Sequence, residues 1–99
     1  MGDAVITDPL GRRITLHDRT WYGHILKGHP EVREHRALVE TAVASPYEIR
    51  HSSSGPSCRL YIAAGPRPAV RMVVVADVAG GYVKTAYLSK RIKGMMEWP

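Results

Sequence analysis

The chain has no phenylalanine, and aromatic residues make up only 7% of it. Leu, Ile, Val, Met, Tyr and Trp must therefore fill its core. It has a single cysteine, Cys58. That excludes an internal disulfide and any zinc site built from several thiolates. Cys58 is expected to be a small buried apolar residue in a reducing setting. Long apolar runs are also missing. The stretch around "MVVVA" falls far short of the ~20 residues that span a bilayer. The opening "MGDAVITD" lacks the basic-then-apolar order of a signal peptide. A cytoplasmic protein with no membrane partner is the expectation. The 99 residues suit one domain, 1–99, with one core, and the hydrophobic content of 44% argues against disorder.

Acidic residues are scarce in the second half. Residues 1–58 carry seven Lys/Arg and seven Asp/Glu, and so balance. Residues 59–99 carry seven Lys/Arg against only Asp77 and Glu97, so the whole net charge of +5 sits there. This asymmetry would attract a polyanion such as RNA. A solvated basic surface without a partner explains the charge equally well.

Turn residues divide the chain into short elements. "AVIT-DPLGR-RITL" reads as a hairpin about Pro9 and Gly11. Asp18 then reads as the N-cap of a helix over 19–27 that ends at Gly28. Pro30 opens a second helix, 31–44, with Val32, Leu38, Val39, Ala42 and Val43 on one side. His35 falls inside that apolar arc, which favours a structural role. "SP" at 45–46 stops the helix. Four strands are predicted at 47–51, 58–64, 69–78 and 81–89, joined by links short enough for an antiparallel meander. The basic tail "KRIKGMMEW" is expected to make one helical turn. The predicted fold is α+β: a hairpin and two helices on a twisted antiparallel sheet of about four strands.

Three of the five histidines, His24, His29 and His35, lie in "WYGHILKGHPEVREH". They do not have zinc-site spacing. His24 and His29 straddle Gly28, and no nearby carboxylate or thiol cluster completes a ligand shell. No metal and no cofactor are expected. Acid–base chemistry needs less: one or two groups that titrate near neutrality beside the scissile bond. Regular alternation places Val83, Thr85, Tyr87 and Ser89 on one face of the last strand, with Tyr82, Lys84, Ala86 and Leu88 on the other. Three hydroxyls on one face suit either a solvated strand or a row of donors for phosphate oxygens. Arg59 and Arg71 could join that row if the strand register allows.

Read in order, "TDPLGRRITL…W…HILKGHPE", "ASPYEIR", "RLYI" and "VKTAYLSKRIK" resemble the phage and mobile-element branch of the Barnase–EndoU–colicin–RelE-like nuclease superfamily. The likeness runs from about residue 5 to 93. It implies helices packed on a curved antiparallel sheet that carries the active site. It also implies metal-independent endoribonuclease activity, toxin-like, in which the 2′-OH attacks to leave a 2′,3′-cyclic phosphate. The implied partners are RNA (tRNA or mRNA) and an antitoxin or immunity protein. The implied catalytic residues are His24, His29, Thr85 and Tyr87, with Arg59 or Arg71 as the strand cation. Ser89, Lys90, Arg91 and Lys93 would hold the RNA. The competing expectation is a catalytically inert nucleic-acid- or protein-binding module on the same fold, with His24 buried and hydrogen-bonded.

Overall fold

The computed structural model describes residues 2–99. It shows an α+β fold with two helical segments on a mixed seven-stranded sheet. The strands are β1 (Ala4–Thr7), β2 (Arg13–Leu16), β3 (Glu48–His51), β4 (Cys58–Ala64), β5 (Arg71–Asp77), β6 (Tyr82–Ser89) and β7 (Met96–Trp98), in the order β1-β2-β6-β5-β4-β3-β7. Four strands are too few, for two reasons. The hairpin joins the sheet through a parallel contact of one residue pair, Thr15 with Tyr82. The C-terminal tail is not helical but pairs with β3 as an edge strand.

The helical segments are α1, residues 18–28, and α2, residues 30–44. Asp18 does not cap α1. Its own N–H is capped by Asp3 Oδ1 at 2.8 Å, while its carboxylate pairs with Arg36 at 2.7 Å. Gly28 ends α1 and Pro30 opens α2, where its missing N–H costs nothing. The start of α2, Pro30–His35, is 3-10 helix rather than α-helix. Its tighter winding changes the phase of the face that follows. Arg36, not His35, therefore becomes the buried polar residue, set over the Trp21 ring at 5.6 Å. Val32, Val39, Ala42 and Val43 are fully buried. Each branched side chain among them contributes roughly 1.5–3 kcal/mol through burial. They pack with Ile14, Leu16, Tyr61, Met72, Val74, Ala76, Val83 and Ala86 from the inner sheet face.

A polar network fixes the edges of this core. Gly11, at φ +85°, lets the hairpin turn fold so that the Asp8 carboxylate accepts the backbone N–H groups of Leu10 and Arg12. The same carboxylate binds Arg12 Nε at 2.7 Å and accepts the Tyr61 hydroxyl from the middle of the sheet. Arg12 reaches on to Glu97 of β7 at 2.7 Å, and Glu97 also pairs with Arg59 at 2.7 Å. The two outermost elements of the sheet are thus joined through side chains.

Arg12 first, then Arg59 against the opposing effect of burial, pulls the Glu97 carboxyl from 4.5 down to about 2. Burial raises the Asp8 carboxyl, but the hydrogen bonds from Tyr61 and Arg12 outweigh it and leave it below the usual carboxylate range. Both carboxyls are lowered by folding, so their stabilisation is complete above the unfolded value. It is lost as pH falls through the folded one. Urea midpoints between pH 2 and 7 should be flat at the upper end and decline from about pH 4.5 toward 2. Glu97→Gln should lower the plateau and reduce the decline. An unchanged acid limb in that variant would contradict the assignment.

Candidate active site

The outer face of the sheet, away from α2, carries a second, smaller apolar cluster of Leu60, Ile62, Val73 and Val75. Tyr87 and Ile92 pack against it. A cavity of about 730 Å³ lies over this cluster. One wall is built by His24, Lys84, Thr85 and Tyr87. The other is built by His51, the last residue of β3 and a histidine that nothing in the sequence singles out, and by Ser52, Ser53 and Ser54 of the loop that follows. The chain between β6 and β7 adds Arg91, Lys93 and Gly94. Among the described residues, no carboxylate lines the cavity. Among the described residues, Lys84, Arg91 and Lys93 have no salt-bridge partner.

Local backbone irregularities place the wall at β6. Because β2 meets β6 at one residue pair only, the chain leaves the sheet after Leu16 and α1 runs beside β6. The middle of α1, Trp21–Ile25, is a π-helical turn. The wider turn sets Trp21, Ile25 and Leu26 inward and leaves Tyr22, Gly23 and His24 exposed. His24 reaches the cavity from this turn and has no hydrogen-bond partner among the described residues. That differs from the buried, hydrogen-bonded His24 expected of an inert module.

A bulge in β6 corrects the predicted alternation. Val75 is opposite Thr85 but Ala76 is opposite Val83, so Lys84 is an extra residue. Val83 therefore faces the inner core while Lys84 and Thr85 both face the cavity. Lys84 is the functional candidate that regular alternation assigned to the wrong face. A bulge has no reliable mark in a single sequence. The Lys84 ammonium lies 3.6 Å from Sγ of buried Cys58.

The other predicted site residues separate. Thr85 and Tyr87 project hydroxyls that have no partner among the described residues, and burial raises the Tyr87 phenol so that it stays protonated. His29 does not line the cavity; its ring packs on Tyr87 with centroids 5.5 Å apart, and its Nδ1 lies 3.4 Å from Glu31. Arg59 shares the inner-face side of β4 with Tyr61 and is held by Glu97 and the carbonyls of Pro56 and Cys58. It is not part of the hydroxyl row. Arg71 stands opposite Ser89 at the far end of β5, beyond the cavity lining. Ser89 lines the cavity, but its hydroxyl donates to the Arg91 carbonyl and accepts the Arg91 N–H, closing the turn after β6. Lys90 is exposed outside the lining, whereas Arg91 and Lys93 belong to it.

Among the described residues, no three His, Cys, Asp or Glu side chains converge as a metal-holding group, and no helix is long and apolar enough to cross a membrane. No family model matches the chain, and neither a curated protein nor a solved structure matches it.

Proposed function

We propose that the protein is a metal-independent endoribonuclease of the toxin-like kind, and that the outer-face cavity is its active site. The observation that carries the reading is the composition of one wall. A proton-transfer group, His24, a cation, Lys84, and two hydroxyl donors, Thr85 and Tyr87, meet there with no carboxylate among the described residues. The resemblance of the "HI…HPE" and "VKTAYLS" segments to the Barnase–EndoU–colicin–RelE-like nucleases supports the same reading.

RNA supplies its own nucleophile. His24 takes the 2′-OH proton as the 2′ oxygen attacks phosphorus. The P–O5′ bond breaks, and the departing 5′ oxygen takes a proton from solvent water, whose hydroxide then recovers the proton held by His24. The products are a 2′,3′-cyclic phosphate and a 5′-hydroxyl. Lys84 offsets the additional charge on the pentavalent phosphorane, and the Thr85 and Tyr87 hydroxyls orient its oxygens. Arg91 and Lys93 attract the flanking backbone. Lys84 thus takes the position that Arg59 and Arg71 were expected to fill.

Incubation of the protein with RNA in EDTA tests the proposal. Cleavage should proceed in the wild type, and Lys84→Met should slow it by ~10²–10³. Arg59→Met should change the turnover rate little once loss of stability is controlled for. Equal sensitivity of turnover to both substitutions would argue against Lys84 as the stabilising cation.

A further inference from the structure

The Ser52–Ser54 wall is used by no step of the reaction above, yet it closes the same cavity. It follows β3, and β3 is separated from β6 by β4 and β5. Three strand spacings put about 14 Å between the two walls. A phosphate held by the Thr85 hydroxyl on β6 therefore cannot also touch the serines, although the Lys84 side chain reaches across the strip as far as Cys58 of β4.

The far wall has its own chemistry for an anion. Ser52 Oγ and Ser54 Oγ are 2.8 Å apart, and the Ser54 N–H donates to Ser52 Oγ at 3.2 Å, which fixes the loop. Ser53 is exposed between them and its hydroxyl has no partner among the described residues. Lys93 lines the cavity without a salt-bridge partner. Between the walls lies the apolar strip topped by Ile92. A ligand that satisfies all three needs anionic groups at two ends and a flat apolar part between them. A single-stranded oligonucleotide has this alternation, with a base or ribose over the strip between two backbone phosphates.

We propose that Ser53 and Lys93 form a second phosphate subsite, so that the cavity binds an RNA segment longer than the two nucleotides flanking the scissile bond. The inference rests on the nuclease reading but concerns binding, not chemistry.

Fluorescence anisotropy with labelled 2′-O-methyl oligoribonucleotides, which lack the nucleophile, tests it. A hexamer should bind wild type roughly tenfold more tightly than a dimer, as one added charge-assisted contact implies. Ser53→Asp, at an exposed loop position, should abolish that advantage and leave dimer affinity unchanged. Equal affinities for the two lengths in wild type would overturn the subsite, as would a length advantage that survives Ser53→Asp. Absence of binding at either length would overturn the subsite and RNA recognition together. Separate assays with ordinary RNA distinguish the two failures. Cleavage with a KM insensitive to Ser53→Asp removes only the subsite. Length-dependent binding without cleavage removes only the catalytic reading.

Discussion

Replacing His24 with alanine should slow RNA cleavage by ~10²–10⁴, the range that positioned proton transfer contributes. The side chain is exposed in a π-helical turn, and among the described residues it makes no hydrogen bond that the fold could miss. The variant should therefore unfold at the wild-type urea concentration. The loss should fall on kcat, because proton transfer acts in the transition state and Arg91 and Lys93 still hold the backbone. Thr85→Ala should add a further loss. If the two substitutions serve one phosphate, the double variant should be less impaired than the product of the single losses. A His24→Ala protein that cleaves at the wild-type rate would leave the cavity without its proton acceptor.

The largest stability effect is expected at Asp8. Its side chain is fully buried, and it receives Arg12, the Tyr61 hydroxyl and two backbone N–H groups. Asp8→Ala deprives all of them of their acceptor at once. Breaking one side of a buried charged pair costs about 3–5 kcal/mol. For a domain of this size, that should lower the melting temperature by 10 °C or more. Tyr61→Phe removes one donor and leaves Asp8 paired with Arg12, so its cost should be nearer 1 kcal/mol. Urea denaturation of both variants measures the difference. Similar losses in the two would show that the tyrosine hydroxyl, not the carboxylate, holds the turn in place.

Local pattern made much of this architecture legible. "CRLYIAA" carries the alternation and turn boundaries of a strand, and residues 58–64 form one with those ends. Gly28 and Pro30 mark the break between the helical segments for reasons that depend only on backbone geometry. What escaped depends on partners distant in the sequence. The tail 96–98 becomes a strand because Ile49 and Arg50 offer an edge to it, and Glu97 finds Arg12 and Arg59. The hairpin enters the sheet through one parallel pair that no short link could announce.

The site divides along the same line. His24, Thr85 and Tyr87 are candidates through the resemblance of their segments to the nuclease superfamily, and the structure brings all three to one cavity. Lys84 was assigned to the opposite face because alternation presumes an unbroken ladder, and the β6 bulge breaks it. Arg59 was a candidate because it is basic and on a strand. Its carboxylate partner, Glu97, lies 38 residues away and becomes apparent only in the folded chain.

The most direct test of the nuclease reading is the chemistry of the ends it leaves. Wild-type protein and RNA incubated in EDTA should give fragments whose 3′ ends show the phosphorus resonance of a 2′,3′-cyclic phosphate, with free 5′-hydroxyls. Intact RNA, or fragments that carry 5′-phosphates, would contradict it.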